Sequence, residues 1–241
     1  MQGNYELDPY WLACSRAKYP VVITGAGISV ASGLPTIASG FRGKSIKDLF
    51  KWDNARRHVR EYQQLYEAMI TDWQQAQPSA AHRAIAERQM RVITQNVDGL
   101  HKRAGSKHVI ELHGSLFRRR CFTCKRSGEP TYPFESKNAS KNSRRHEWLC
   151  NWCHSELIPD LVLEGEPVRH FALALNWLTT SDLLLIVGTA LEMQPINAFP
   201  LTAIRSQIPV VTVNRAADER IPALLGSQPL RLITSENPDW Q

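Results

Sequence analysis

The sequence predicts an α/β fold: a Rossmann-like parallel sheet with helices on both faces, plus a small zinc-binding module. Three observations carry this expectation. Apolar runs of strand length occur at 21–24, 91–94, 109–112, 182–188 and 210–214, and two of them, VVIT and LLLIV, are apolar enough to be covered on both faces. Helical patterns separate the runs, and strands alternating with helices build parallel sheets. One stretch, 118–157, breaks the rhythm. It holds four of the five cysteines, much of the basic charge and few apolar residues in sequence. The expected division is therefore 1–117 with 158–241 for the sheet domain, and 118–157 for an inserted module too small to fold on its own core.

The elements follow in order. Asp8 and Pro9 suit the start of a first helix, which carries Cys14 as a plain thiol. Strand 21–24 runs into TGAGISVASGLP, a loop rich in small residues. It lacks the GxGxxG dinucleotide fingerprint, because Val30 stands where the third glycine belongs. Gly25 and Gly27 would let backbone approach a phosphate, Ala26 and Ser29 keep the floor open, and a helix starting near Ser29 would aim its amides there. Glycines after a strand also serve a turn alone. Helices are expected over 53–75 and, capped by Ser79 after Pro78, over 79–89. Strand 91–94 delivers Gln95, Asn96 and Asp98, amide and carboxylate groups able to bond a ribose or a carboxamide. Strand 109–112 delivers His113, whose neutral ring could take a hydroxyl proton or could be a satisfied structural histidine. Helices are read at 167–178, 195–205 and 218–225. Between them, strand 182–188 ends in Gly188, Thr189 and Ala190, and strand 210–214 ends in Asn214. Parallel sheets bind ligands at the carboxyl ends of their strands, so these ends define one crevice.

The cysteines are spaced Cys121-x2-Cys124 and Cys150-x2-Cys153. Two such knuckles complete a tetrahedral site with no open position, which predicts one structural zinc ion. A chain of 241 residues with 43% hydrophobic and 22% charged composition is that of an ordinary globular protein. It has no run of about 18 apolar residues for a membrane span. The start, MQGNYELDPYWLAC, lacks a basic, apolar signal pattern, so the expectation is cytoplasmic, with no membrane partner. The net charge of +6 is concentrated in RRRCFTCKR and SKNASKNSRRH, read either as a solvated face or as a weak nucleic-acid contact of the zinc module.

The ordered motifs GAGIS, SGLP, FRG, TQNVDGLH, ELHGSLF, the paired knuckles, PDLVLEGE, VGTALEMQP and VVTVN resemble the sirtuin family over nearly the whole chain. The resemblance implies an NAD-dependent protein-lysine deacylase. Gly25, Ala26, Gly27, Ser29, Phe41, Arg42, Gln95, Asn96 and Asp98 would line the NAD site, with Gly188, Thr189, Ala190 and Asn214 on the phosphate and adenosine side. His113 would be the general base, with Asn96 beside it in catalysis. Val162, Leu163, Glu164 and Gly165 would meet an acyl-lysine protein or peptide. The implied reaction joins the acyl oxygen to the ribose carbon as nicotinamide leaves, and releases lysine and O-acyl-ADP-ribose.

Three departures stand out. Five residues, TIASG, separate Pro35 from Phe41 where sirtuins usually have one. Glu164 replaces a common phenylalanine, and Ala190 replaces a serine. The Tyr-x-x-Arg pair of sirtuins that prefer acidic acyl chains is missing after Tyr62 and Tyr66, although Arg56 or Arg57 could supply a cation. Glu164 and the longer loop keep open an ADP-ribosyltransferase or NAD hydrolase. A non-catalytic NAD-sensing or nucleic-acid-binding protein is the third alternative.

Overall fold

The computed structural model describes residues 9–37, 39–127 and 148–226. Among them lie seven strands: β1 (Pro20–Thr24), β2 (Arg91–Thr94), β3 (Val109–Glu111), β4 (Gly114–Cys121), β5 (Leu157–Leu161), β6 (Leu183–Val187) and β7 (Val210–Val213). Five of them form a parallel sheet in the order β3-β2-β1-β6-β7. The chain thus leaves β1 toward one side and later returns to build the other. That reversal opens a crevice at the carboxyl ends, where Thr24 pairs with Thr94 and Val187.

Side-chain alternation sends the two faces of each strand into different cores. Val22 packs with Cys14 of α1 (Pro9–Arg16), Ile85 of α4 (Ala80–Glu87) and Ile221 of α8 (Ala217–Leu225). Val21 and Ile23 pack with Leu178 of α6 (Phe171–Thr179) and Phe199 of α7 (Phe199–Arg205). Cys14 is a buried core thiol. No helix among the described residues is long and apolar enough to cross a membrane.

Strands β4 and β5 form a separate antiparallel pair that carries the cysteine knuckles. Their ladder starts at Gly114 and ends at Leu161, so it reaches a few residues to either side of 118–157. A third apolar cluster joins this pair to α3 (Val59–Trp73) through Tyr66, Met69, Leu116 and Leu161.

Three helices differ from expectation. The segment expected to start a helix near Ser29 is a 3-10 turn, Ala26–Ser32, stopped by Gly33 in the left-handed region at φ 81°. The stretch 53–75 divides into α2 (Trp52–Arg57) and α3, because His58 leaves helical backbone at φ −132°, ψ 48°. The stretch 195–205 opens with a 3-10 turn, Ile196–Ala198, before α7, whose first turn holds a proline. Asp8 and residues 136–146, singled out above, lie outside the described residues.

The described part of the basic segment turns inward. Arg118 bonds Glu111 and Asp160, Arg120 clasps Glu166 with two bonds, and Arg119 stacks over Trp148 at 4.2 Å. Arg118 and Arg120 tie the module to the sheet domain, Arg119 packs within the module, and all three are withdrawn from a solvated basic face.

Candidate active site

A cleft of about 1100 Å³ runs between the sheet edge and the β4–β5 region. Its walls bring together Gly25, Ala26, Gly27, Ser29, Gln95, Asn96, Asp98, His113, Val162, Leu163, Glu164, Gly165, Gly188, Thr189, Ala190 and Asn214, which the sequence scatters over 190 positions.

The glycines serve loop against loop. A Cβ on Gly27 would stand 2.7 Å from the Gly188 Cα, and one on Gly25 would stand 2.6 Å from the Thr189 Cβ. The Gly27 N–H donates to the Gly188 carbonyl at 2.8 Å. The expectation of a phosphate cradle made by these glycines is thus refined: their missing side chains first let the β1 and β6 loops touch.

A polar cluster sits where the loops meet. Asn96 Nδ2 donates to the Gly25 carbonyl (3.0 Å) and to Ser29 Oγ (3.2 Å), which commits its amide hydrogens and leaves Oδ1 for a ligand. The Ser29 hydroxyl in turn donates to Asp98 Oδ2 at 2.7 Å, while Leu100 N–H donates to Asp98 Oδ1 at 2.9 Å. Both Asp98 oxygens are therefore engaged in holding the loop, and burial pushes the carboxyl above its usual range. Gln95 Nε2 donates to Thr189 Oγ1, and Asn214 Oδ1 accepts the Thr189 N–H, so two strand ends steady a third.

His113 Nδ1 lies 2.9 Å from the Gln95 carbonyl. A carbonyl only accepts, so Nδ1 carries the proton and Nε2 keeps the lone pair. Burial lowers the ring's pKa, against the opposing pull of that carbonyl, so the ring is neutral at physiological pH. The His113 carbonyl accepts the Val162 N–H at 3.0 Å, which ties this histidine to the segment expected to meet substrate.

The Sir2 family sequence profile matches residues 25–195. A protein from Geobacillus kaustophilus named NAD-dependent protein deacetylase 1 is 37% identical over 85% of this chain and 84% of its own length. The chain belongs to the Sir2 family. A second relative, an NAD-dependent protein deacetylase from Chromobacterium violaceum, is 34% identical over 82% of each chain. Among solved structures, a Sir2 homolog–NAD complex superposes with a TM-score of 0.77 at 28% identity, over 89% of this chain and 91% of that one. A Sir2–p53 peptide–NAD+ complex superposes with a TM-score of 0.73 at 28% identity, over 91% and 97%.

Two motif residues of this sirtuin stand apart from the cleft. Arg42 pairs with Asp72 of α3 at 3.0 Å in the open, and Phe41 packs on the third apolar cluster. Neither contributes to the cleft wall in this conformation. Glu164 is exposed at the rim, and its N–H is held by the Phe50 carbonyl at 2.7 Å. Sequence reasoning missed the residues that close the apolar end: Ile46, Phe50, Tyr66, Met69 and Trp73. The spacing of Tyr62, Tyr66, Met69 and Trp73 marks one helix face, yet a buried stripe does not announce that it walls a cavity.

The four cysteine sulfurs all lie within 4.8 Å of one another, with Cys121–Cys153 at 3.4 Å and Cys124–Cys150 at 3.7 Å. Tetrahedral zinc with Zn–S bonds of about 2.3 Å needs sulfurs about 3.8 Å apart, so the cluster fits the ion. Such a site is structural: it braces the module beside the cleft and offers no position for chemistry.

Proposed function

We propose that the chain is an NAD-dependent protein-lysine deacylase acting on uncharged acyl groups. The observation that carries this reading is His113, kept neutral by burial and held by the Gln95 carbonyl in the tautomer that leaves Nε2 basic, beside the Asn96–Ser29–Asp98 cluster in one cleft. A ribose whose nicotinamide bond is breaking gains positive character, and the Asn96 Oδ1 and the surrounding oxygen groups suit it. His113 Nε2 would take the proton of a ribose hydroxyl as that oxygen attacks the transferred acyl carbon. The sheet loops hold the phosphate-bearing half, and the apolar end excludes water from the reacting one.

The relatives named above as deacetylases support the reaction class. The lining supports the choice of acyl group. Tyr66, Met69, Trp73, Leu116 and Leu161 are all nearly inaccessible to solvent yet face the cleft. The cations among the lining residues, Lys47 and Lys51, stand on its exposed part. An acyl carboxylate would therefore be buried against carbon, at a cost of several kcal/mol unless it is paired (~3 or more). Exposed Glu164 faces solvent and needs no special substrate.

The test is nicotinamide release from NAD with acetyl-, butyryl- and succinyl-lysine peptides and a no-peptide control. Release is expected with acetyl and butyryl, falling at least about tenfold with succinyl, and absent without peptide. Labelling of protein from radiolabelled NAD without peptide would replace deacylation by ADP-ribosyl transfer. His113→Ala should lower turnover by about 10²–10⁴-fold while NAD still binds by calorimetry. The sign of the pH dependence follows from the lowered pKa. Activity should persist below pH 6.5, the ordinary histidine value, and fall only on further acidification as His113 protonates. An acid limb centred above pH 7 would contradict that assignment.

A further inference from the structure

Behind the cleft floor lie two histidines that the proposed chemistry does not use. His82 of α4 and His101 of α5 (Leu100–Arg103) are 0% and 2% exposed, with ring centroids 4.7 Å apart and planes tilted by 59°. Each has one engaged nitrogen. His82 Nδ1 faces the Ser79 N–H (3.3 Å) and hydroxyl (2.9 Å) at the α4 cap. His101 Nε2 lies 2.9 Å from Thr24 Oγ1. The other nitrogen of each ring, His82 Nε2 and His101 Nδ1, is buried without a hydrogen-bond partner among the described residues.

The donors and acceptors allow one consistent assignment. The Ser79 N–H can only donate, so His82 Nδ1 accepts and its proton sits on Nε2. Thr24 Oγ1 donates its single hydrogen to Thr94 Oγ1 at 2.9 Å, so His101 must supply the hydrogen to Thr24 and carries it on Nε2. The two unpartnered nitrogens are then a donor on His82 and an acceptor on His101. Were His101 protonated on Nδ1 instead, both unpartnered nitrogens would be buried N–H donors. Both rings stay neutral: burial lowers the pKa of His82 to about 4 and that of His101 well below its ordinary value.

The chain of bonds continues into the site. Thr94 Oγ1 accepts the Asn96 N–H at 3.0 Å, and Asn96 presents its amide to the Gly25 carbonyl and Ser29. His101, Thr24, Thr94 and Asn96 thus form one hydrogen-bonded path that ends at the cleft, and the His82 ring packs against its far end. We infer that His101, backed by His82, is a positioning residue, whose Nε2–H fixes the Thr24 and Thr94 hydroxyls and through them the Asn96 that faces the reacting ribose. This rests on the deacylase reading for its kinetic consequence, but the tautomer itself does not.

Two measurements test it. In long-range ¹H–¹⁵N spectra of the protein, both rings should report the Nε2–H tautomer and stay neutral at pH 6. His101 in the Nδ1–H form would overturn the proposal without any assay. In kinetics with NAD and acetyl-lysine peptide, His101→Phe should lower kcat at least tenfold with the peptide KM little changed. His101→Gln, whose amide can donate to Thr24, should recover most of the loss. Wild-type kcat in His101→Phe, or His101→Gln no better than Phe, would leave a merely structural residue. If His101→Phe fails to fold, Thr94→Val removes the last hydroxyl of the path and should show the same fall in kcat. Unchanged kcat there also overturns the proposal. An inactive wild type would instead count against the deacylase reading, with the tautomer still deciding this one.

Discussion

The two walls of the cleft are built by different physics. The sheet wall is made of backbone in close approach and of neutral hydrogen bonds: Gly27 against Gly188, Asn96 on Gly25, Gln95 on Thr189. The opposite wall is made of apolar side chains from α3, β4 and β5, in a region braced by ion pairs and a cysteine cluster that do not themselves line the cleft. Shape sets the first wall, so a single methyl group can break it. Charge and metal set the second, which therefore answers to chelators, to pH and to deletion of one charge. The contrast teaches that the sheet wall is rigid by sterics, while the opposite wall owes its position to bonds that solution conditions can undo.

The largest effect should come from the metal. A structural zinc contributes on the order of 10 kcal/mol of apparent folding free energy in small modules. Cys150→Ser, or a strong chelator, should therefore unfold the β4–β5 region and end deacylation, while the circular dichroism of the parallel sheet largely remains. Loss of both lobes together would show that the walls do not fold separately. Next comes Asp160, 1% exposed, whose carboxylate meets Arg118 and Arg169. Burial alone would raise its pKa, but the two arginines more than reverse this and hold it below the ordinary carboxylate range. A depressed folded pKa contributes stability above the unfolded value that is lost as pH falls through the folded one. Asp160→Asn leaves the partly buried Arg169 without its carboxylate, while Arg118 keeps Glu111, and should cost about 2–3 kcal/mol at neutral pH, read from denaturant midpoints. A variant as stable as the parent at pH 7 would remove ion pairing from the account of this wall.

On the sheet wall, Gly188→Ala should cost at least about 2 kcal/mol. The new Cβ would stand 2.3 Å from the Ile28 backbone nitrogen, at a residue whose φ is +62°. Because the strain falls on the loop contact, NAD affinity should drop with it while zinc content stays at one ion per chain. An alanine variant that binds NAD normally would show that the two loops can part without harm.

The sequence showed these walls unequally. Strand periodicity and the glycine positions located the sheet, its carboxyl edge and the scattered residues that gather there, since each strand end is marked by a change from apolar to small or polar residues. The cysteine spacing located the module, because thiolate geometry leaves little choice. The ion pairs were invisible: Arg118 and Arg120 read as surface charge until the β4–β5 ladder placed Asp160 and Glu166 beside them. His82 and His101 were equally silent, since a histidine in a helix does not declare a partner 19 residues away. Phe41 and Arg42 were legible as a motif but not as a position, because the conformation of the long loop decides which way they face.

That loop carries the smallest of the expected effects and the finest test of the comparison. Arg42 is held off the cleft by Asp72, with side chains 58% and 43% exposed, so water screens the pair. Exposed pairs contribute about 0.2–1 kcal/mol, so Asp72→Asn should leave the melting temperature almost unchanged. Its consequence should lie in the cofactor. If binding of NAD requires Arg42 to leave Asp72 and swing into the cleft, removing the carboxylate eliminates a competitor and should tighten NAD binding by about two- to fivefold at low salt. The gain should vanish at 1 M salt, where screening already weakens the parent pair. Unchanged affinity at low salt would mean that Arg42 stays on α3 throughout, and that the sheet wall holds NAD without help from the loop that faces it.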